Sequence, residues 1–329
     1  MGTAATIQQH NVKKQFGKPI SIEDGVGLER ASSSDPYRID SKRAVLEEQG
    51  DDTMKIGFIG AGKAGTSLGI HFVKHGIPVA GYYSRTKEST CKAAGLTKSA
   101  AFSSAEALCT ACDVLFITTP DGTIAKVAED LAHRGIRPPY VCHCSGSLSS
   151  QILQPMETQA GSAHPMLAIA GRETDLSGAF FTLEGTDAAA ELLQDLLERC
   201  GNPTARIASE SKPRYHCAAS VASNLMIGLG AISMDLLQDC GFSQAQAREL
   251  LTPLVKNNAA ALCEKGPAAA LTGPVERGDA ETVRMHLAAL TGEAREIYRL
   301  LSLELIKVAQ EKNKDRSYHA LKTMLEEAK

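Results

Sequence analysis

The chain has 329 residues, with 35 basic and 38 acidic side chains and a formal net charge of −3. That length predicts about two domains, each large enough for its own hydrophobic core. A near-neutral balance argues against nucleic acid or an anionic membrane as a partner, because both attract basic surfaces. The nine cysteines, an odd number without a secretory signal, indicate a reducing compartment, and we expect a cytoplasmic protein.

Residues 1–52 show no sustained periodicity of apolar residues, and we interpret them as a disordered extension. A glycine motif follows this region. An apolar segment leads into Gly60, Gly62 and Gly65, spaced as Gly-x-Gly-x-x-Gly and followed by a helical pattern. In a dinucleotide site these glycines permit the turn, the approach of the pyrophosphate and close packing of the helix. We therefore predict a nucleotide-binding loop formed by Gly60, Ala61, Gly62, Lys63, Ala64 and Gly65.

The end of the second predicted strand indicates which nucleotide binds. An NAD site has a carboxylate for the ribose about twenty residues beyond the glycines, whereas this chain has Ser84, Arg85 and Thr86. A guanidinium between two hydroxyls can hold a 2′-phosphate but offers no acceptor to a free ribose diol. The alternative is that Arg85 is an ordinary solvated loop residue. At this position we favour NADP(H) as the cofactor.

Short apolar segments then alternate with helical segments as far as residue 209. The predicted elements are a helix at 104–112, a strand at 114–118, a helix at 121–134, a strand at 140–144, a helix at 147–158, and two closing strands around a helix at 187–200. This alternation specifies a doubly wound parallel α/β sheet of the Rossmann type. Ligands bind at the carboxyl ends of such strands, which places at the cleft Thr119, Pro120, Ser145, Gly146 and His164.

The remainder of the chain is helical by pattern, with helices predicted at 211–241, 243–263, 279–290, 293–312 and from 317 onward. We therefore predict an NADP-binding domain at 53–210 and an all-α substrate and dimerisation domain at 211–329. Residues 215–234 carry no charged side chain and are long enough to raise the question of a membrane span, but we interpret them as a buried helix packed against neighbours. Because this helix is apolar around most of its circumference, we expect a homodimer.

Hydride transfer to a C=O or C=N group needs a proton donor near the substrate heteroatom. His164 precedes a proline at a strand end on the cleft side. Its position is consistent with either a catalytic or a structural role. Ser145, a further candidate, lies at a neighbouring strand end. Lys212, His216 and Asn224 are spaced by multiples of four on a predicted helix, so they share one face. We predict Lys212 or His216 as an acid and Asn224 as the residue that orients the substrate. The alternative is a polar seam between buried helices.

Two cysteine pairs resemble metal-binding spacings but lie in apolar segments. Cys109-x-x-Cys112 closes a helix, and residues 142–144, Cys-His-Cys, lie within a strand, so both positions are typical of buried structural cysteines. We predict no metal site. A redox-sensitive dithiol is the alternative, and it requires a lowered thiol pKa. His71 and His75, on the helix after the glycine loop, are interpreted as surface or packing residues.

Several motifs occur in a fixed order along the chain. They are the glycine loop, Ser84-Arg85-Thr86, His143-x-Ser145-Gly146, His164-Pro165-Met166, Tyr215-His216-x-Ala218-Ala219, Ser223-Asn224 and Leu-Thr-Gly-Pro-x-x-Arg-Gly-Asp at 271–279. Over residues 54–300 the chain resembles the bacterial Rossmann-like proteins that carry a C-terminal domain of unknown function 2520, and residues 271–279 are the most specific part. The N-terminal extension departs from the family pattern.

That family is similar in architecture to pyrroline-carboxylate reductases, prephenate dehydrogenases and 6-phosphogluconate dehydrogenases. The resemblance implies an NADP-binding oxidoreductase with a helical, often dimer-forming second domain. We expect an NADP(H)-dependent enzyme that acts on a small carbonyl, imine or hydroxy acid in the cleft. A non-catalytic NADP(H)-binding sensor or partner-binding protein is the alternative, and the candidate acids His164, Lys212 and His216 favour the enzyme.

Overall fold

The computed structural model describes residues 54–328, so the predicted extension at 1–52 lies outside the described residues. Eight strands of this part form one sheet: β1 (Ile56–Ile59), β2 (Val79–Tyr83), β3 (Ala100–Ala101), β4 (Val114–Ile117), β5 (Tyr140–His143), β6 (Gln159–Pro165), β7 (Phe181–Gly185) and β8 (Thr204–Arg206). Their order is β3-β2-β1-β4-β5-β6-β7-β8. The order changes direction between β1 and β4, and a crevice opens at such a point in doubly wound sheets.

Helices connect the strands and then continue without them. Those of the sheet region are α1 (Lys63–Lys74), α2 (Lys87–Thr97), α3 (Ala105–Thr110), α4 (Asp121–His133) and α5 (Asp187–Arg199). The following ones are α6 (Lys212–Ser220), α7 (Met226–Asp239), α8 (Gln244–Ala270), α9 (Pro274–Arg277), α10 (Ala280–Ala289), α11 (Gly292–Lys312) and α12 (His319–Glu327). The predicted α/β class with a helical C-terminal part is therefore confirmed.

One pair of strands departs from the parallel pattern, because β7 runs antiparallel to β6. All other neighbouring pairs among the described strands are parallel. The connection between β6 and β7, residues 166–180, contains no helix. A parallel pair needs a crossover, usually helical, whereas an antiparallel pair does not.

The sheet separates two layers of apolar side chains. On one face α1 and α5 pack over an aromatic row in which Phe58 stacks on Tyr82 and Phe116, at centroid distances of 5.1 and 5.6 Å. On the other face α3 and α4 cover Leu115 and Ile117. Successive residues of a strand point to opposite faces, so the all-apolar strands β1 and β4 feed both layers. The layers hold the carboxyl ends of the strands at one edge.

Three predicted helices differ in detail. The segment predicted at 147–158 is a 3-10 helix at Ser150–Met156 that contains Pro155, which lacks the N–H needed for an α-helix. The helix predicted at 211–241 is interrupted by a π-helical turn at Val221–Leu225, between α6 and α7. The helix predicted to end at 263 runs to 270 with a break at Gly266, whose φ is +75°. The described residues 54–328 belong to one compact unit, and the domain boundary predicted at 210 remains a prediction.

The helix expected to be buried is exposed in the single chain, so that expectation is wrong. Ser209–Asp239 is long and apolar enough to cross a membrane by length and composition, yet none of its most apolar window is buried. Helix α7 has no buried residue, and Ile227 is 70% exposed. The described helices pack against one end of this helix and leave its apolar surface without a cover.

Candidate active site

The glycine loop joins β1 to α1 with the conformations that the three glycines were predicted to need. Gly60 has a φ of +113°, and a Cβ there would lie 2.7 Å from the Thr118 carbonyl. A Cβ on Gly65 would overlap Thr118 Oγ1, whereas a Cβ on Gly62 would have no neighbour within 4 Å. The turn and the helix packing therefore depend on Gly60 and Gly65, and Gly62 faces open space where a ligand can approach the backbone.

The first turn of α1 is suited to an anion. Gly62 is the N-cap, no side chain caps the helix, and no acidic residue lies in its first turn. The first N–H groups of a helix lack intrahelical acceptors and carry the positive end of its dipole. A phosphate group satisfies both conditions, so Lys63 and Ala64, which open this helix, belong to an anion-binding turn.

A cavity of about 510 Å³ opens beside this turn. Its walls include most of the predicted cofactor residues, namely Gly60, Ala61, Gly62, Ser84, Arg85, Thr86, Thr119 and Pro120. Within residues 54–328 Arg85 forms neither a hydrogen bond nor an ion pair, and it is exposed. Ser84 donates to the Thr86 carbonyl at 3.0 Å and so shapes the loop. Thr119 Oγ1 is buried without a hydrogen-bond partner in the described residues, as expected of a ligand contact.

Arg172 was not predicted, although it also lines the cavity. Its Nε donates to the Ala61 carbonyl at 3.2 Å, and its guanidinium donates to Ser89 Oγ at 3.4 Å. It therefore ties the irregular connection between β6 and β7 to the glycine loop. No local pattern marks this residue, because its contacts lie more than eighty positions away in the chain.

A second group of residues lies at the ends of β5 and β6. His164 is the penultimate residue of β6. Its Nδ1 lies 2.8 Å from the Tyr215 hydroxyl, and its ring centroid lies 5.9 Å from that of His216. Gly146 lies against both rings, since a Cβ there would lie 2.5 Å from His216 Cδ2 and 2.8 Å from His164 Nε2. The structure thus brings together the predicted residues His164, His216 and Gly146. Tyr215 was not predicted as a site residue, although it belongs to a family motif.

The environment of His164 keeps its imidazole neutral. Burial, and then the charges of His216 and Lys212, lower its pKa to about 4. At neutral pH one ring nitrogen of His164 therefore donates a hydrogen bond and the other accepts one. A neutral imidazole can donate its single N–H to a substrate heteroatom, and it can give up that proton if its other nitrogen gains one.

Lys212, predicted as a possible acid, is buried beneath the His164 cluster and bonded within the protein. Its side chain is buried, and Nζ donates to the Ser145 carbonyl at 2.9 Å and to Ser162 Oγ at 2.6 Å. Ser162 in turn donates to Glu184 at 3.3 Å. Burial lowers the pKa of Lys212, and the charge of Glu184 opposes this effect. These bonds join the segment after β5 to β6, and the role of Lys212 as an acid remains a prediction.

Ser145 is held in place by an acidic residue of α4. Its Oγ donates to Asp121 Oδ2 at 2.7 Å, and Ser147 Oγ donates to the same oxygen at 3.2 Å. Ser145 Oγ also accepts from the Leu148 N–H at 3.1 Å. Its hydroxyl proton is therefore engaged by Asp121, and the predicted catalytic role of Ser145 remains a prediction.

Asn224 lies within the π-helical turn and is exposed, and its side chain forms no hydrogen bond within the described residues. Because a π turn holds more residues than an α-helical turn, a spacing of four stays close to one face, and the turn does not by itself separate Asn224 from His216. The role of Asn224 toward a substrate remains a prediction. The alternative of a polar seam between buried helices is wrong for the single chain, because His216 and Asn224 are both exposed.

The cysteine pairs are thiols with raised pKa values. All nine cysteines are free, and burial raises the pKa of Cys109 to about 11 and those of Cys112 and Cys144 to about 12. Burial also raises the pKa of Cys142. A redox-sensitive dithiol needs a thiolate at neutral pH, so the structure contradicts that alternative.

Two family models match the chain in the order of its two parts: a Rossmann-like domain over residues 44–169 and a domain of unknown function, DUF2520, over residues 179–305. The chain is a Rossmann-like protein with a DUF2520 domain. The predicted family resemblance is confirmed. No curated protein sequence matches the chain.

Solved structures share the fold of this Rossmann-like DUF2520 protein. Protein TM1727 from Thermotoga maritima is 25% identical, with a TM-score of 0.64 over 78% of this chain and 99% of that chain. A reductive aminase from Aspergillus terreus, in complex with NADPH and ethyl-5-oxohexanoate, is 17% identical, with a TM-score of 0.54 over 84% of this chain and 93% of that chain. Pyrroline carboxylate reductase from Plasmodium falciparum, with NADP bound, is 15% identical, with a TM-score of 0.52 over 83% and 100%.

The buried histidines of this DUF2520 protein make its stability depend on pH. Burial lowers the pKa values of His143 and His164 to about 4 from 6.5. Below about pH 6.5 the unfolded chain therefore binds more protons, and the free energy of unfolding falls by about 1.4 kcal/mol per pH unit for each histidine. We expect a lower urea midpoint at pH 5 than at pH 7, and a smaller difference in His164→Asn. An equal pH effect in that variant would contradict the neutral state of His164.

Proposed function

We propose that this protein is an NADP(H)-dependent oxidoreductase that transfers a hydride to or from a small carbonyl, imine or hydroxy-acid substrate. One observation carries the proposal: the uncapped N-terminus of α1 and the unpaired Arg85 border one cavity, and the His164 cluster lies farther along the same sheet edge. The carboxyl ends of β1, β4, β5 and β6 follow one another in that order. A dinucleotide binds along such an edge.

The residues of the cavity fit NADP(H) in both charge and shape. The open backbone at Gly62 suits a pyrophosphate, and Arg85 suits a 2′-phosphate because no carboxylate within residues 54–328 forms an ion pair with its guanidinium. Arg172, Lys126 and Arg134 add further cations to the same cavity, although Arg134 is paired with Glu106 and Asp130. The NADPH complex of the reductive aminase and the NADP complex of the pyrroline carboxylate reductase support this choice of cofactor.

Bound NADPH supplies the hydride, and the described residues supply the proton. We assign to neutral His164 the tautomer with a proton on Nε2, so that Nδ1 accepts from the Tyr215 hydroxyl at 2.8 Å and the Nε2–H is free for the substrate oxygen or nitrogen. That hydrogen bond polarises the C=O or C=N group. The heteroatom would take the Nε2 proton while the Tyr215 proton moves to Nδ1, and the partly exposed Tyr215 hydroxyl would regain its proton from solvent. Lys212 keeps the loop after β5 in register with β6 through its two hydrogen bonds.

The proposal is tested by titrating the full chain with NADPH and NADH in a calorimeter and by screening metabolites for loss of NADPH absorbance. Tighter binding of NADPH together with turnover of a carbonyl or imine supports the enzyme. Equal affinities for the two nucleotides would overturn the cofactor assignment. If NADPH binds but only alters the binding of a macromolecular partner, the sensor alternative replaces the enzyme.

We also propose that the protein is a cytoplasmic homodimer that uses α7 and α8 as its interface. Helix α7 has no buried residue and α8 has one, so neither is stable without a cover. Every folded molecule needs a partner that buries the apolar surface of α7 and α8. A second copy of the same chain is always present at the same concentration and can be that partner. Its self-complementary face would bury the exposed apolar surface around Ile227.

We expect Ile227→Asp to convert the dimer into a monomer, because a carboxylate at the centre of an apolar interface leaves a buried unpaired charge. Light scattering at micromolar concentration measures the change in mass. The matched control is Leu96→Asp, an exposed leucine of α2, which should remain dimeric. A monomeric wild-type protein, or one that partitions into lipid vesicles through this helix, would contradict the interface.

A further inference from the structure

Three potential metal ligands meet at the edge of the sheet opposite the glycine loop. They are His71, His75 and Cys200, and one ligand atom of each lies within 4.8 Å of the others. His71 and His75 are four residues apart at the C-terminal end of α1, so they share one face of the helix. Cys200 follows directly on α5. This place is about 18 Å from the glycine loop, since α1 has twelve residues.

The hydrogen bonds of His71 fix which nitrogen is free. Asn202 Nδ2 donates to the carbonyls of Leu176 and Ala179 at 2.8 and 2.9 Å, so Asn202 Oδ1 must accept. His71 Nε2 lies 2.6 Å from that oxygen and is therefore the protonated nitrogen. His71 Nδ1 bears a lone pair, is buried, and has no hydrogen-bond partner in the described residues. His71 itself is 2% exposed, so water does not readily satisfy this atom.

His75 is oriented in the same manner. Its Nδ1 lies 2.8 Å from the His71 carbonyl and must donate to it, because a carbonyl oxygen only accepts. Its Nε2 therefore carries the lone pair. Metal-binding histidines commonly donate their other ring N–H to a carbonyl or amide oxygen, which fixes both the tautomer and the orientation of the ring. Both histidines have this arrangement before any metal binds.

We propose that His71 Nδ1, His75 Nε2 and Cys200 Sγ bind a zinc-class divalent cation, with a water in the fourth position. Two imidazoles and one thiolate suit a borderline-soft ion such as Zn²⁺. Around a tetrahedral zinc these ligand atoms lie about 3.4–3.6 Å apart, so a small rotation of the half-buried His75 ring closes the site. On binding, the zinc takes the place of the Cys200 proton, which is released to solvent.

The local field also favours a cation. Helices α1 and α5 both end at the site, and the C-terminal end of a helix carries the negative end of its dipole. Asp175 adds a carboxylate whose charge acts on His71, and the ammonium of Lys74, 3.7 Å from that carboxylate, opposes it in part. The bound ion would tie the end of α1 to the end of α5, two helices on the same face of the sheet. It would therefore act as a structural clamp and take no part in the reaction.

The test uses the full chain without a polyhistidine tag, titrated with Zn²⁺ and with Co²⁺. We expect one equivalent to bind, a rise in the melting temperature, and a tetrahedral Co²⁺ spectrum with a thiolate charge-transfer band. His75→Ala should weaken zinc binding at least 100-fold, and Cys200→Ser should abolish the charge-transfer band. Circular dichroism checks that both variants fold, and His75→Ala covers the case in which the buried Cys200 cannot be replaced.

The matched controls are His319→Ala and Cys240→Ser, which change an exposed histidine and an exposed cysteine elsewhere in the chain. Both should bind zinc like the wild type. Equal zinc affinity in the wild type and His75→Ala would overturn the site, as would an octahedral Co²⁺ spectrum without a thiolate band. These readouts do not depend on NADPH or on a substrate, so they are independent of the proposed function.

Discussion

Replacement of His164 by alanine is expected to lower turnover by about 10²–10⁴-fold, with little change in NADPH affinity. His164 lies beside Gly146 and His216, and its Nδ1 is 2.8 Å from the Tyr215 hydroxyl. A donor that acts on the substrate heteroatom stabilises the transition state and contributes nothing to cofactor binding. Steady-state rates with the substrate found by the screen, together with calorimetry of NADPH, separate the two effects.

Variants of neighbouring residues test the arrangement around His164. Tyr215→Phe keeps the ring but removes the hydroxyl, and we expect a loss of about tenfold from the missing hydrogen bond. Lys212→Ala should act mainly on the free energy of unfolding, because Nζ is bonded inside the protein. The matched control is His133→Ala, an exposed histidine at the end of α4, which should keep the wild-type rate. Near wild-type turnover in both His164→Ala and His216→Ala would show that the site is elsewhere.

Replacement of Arg85 by alanine is expected to remove most of the preference for NADPH over NADH. The loss of one charged hydrogen bond to a phosphate costs about 1.5–3 kcal/mol, or roughly ten- to a hundredfold in affinity. NADH has no phosphate at this place, so its affinity should hardly change. Calorimetric titration of both nucleotides against the variant measures the two affinities directly.

The matched control for Arg85 is Lys92→Ala, an exposed cation of α2 that does not line the cavity. It should keep the preference of the wild type, because its charge is exposed and screened. Arg172→Ala should weaken both nucleotides, since Arg172 also supports the glycine loop through the Ala61 carbonyl. If Arg85→Ala keeps the preference for NADPH, Arg85 does not bind the 2′-phosphate, and Arg172 or Lys126 becomes the candidate for that contact.

The features predicted correctly from sequence are those that short-range patterns determine. The glycine spacing at 60–65 is recognisable as a short pattern, and the structure gives its reason: a Cβ on Gly60 or Gly65 would lie too close to Thr118, just after β4. The alternation of apolar strands with helices specifies the α/β class, because each buried strand needs covered faces. The end of β6 placed His164 at the edge of the sheet for the same reason.

Tertiary structure alone decided which side chains meet. The spacing of Lys212 and His216 on one helix predicted a shared face, but burial turned Lys212 inward to Ser145 and Ser162 while His216 stayed exposed. The π turn at Val221–Leu225 also came from the structure alone, because no propensity marks such a turn. A periodic pattern shows which face of a helix is apolar, but it does not show what covers that face.

The sequence by itself therefore determined the fold class, the nucleotide loop and the family, because these depend on steric rules and periods that act over a few residues. The structure decided the contacts between distant segments: Arg172 with the glycine loop, Tyr215 with His164, and the meeting of His71, His75 and Cys200. Such contacts depend on the packing of helices against a twisted sheet. Their free energies sum over many neighbours, and no single stretch of the chain encodes them.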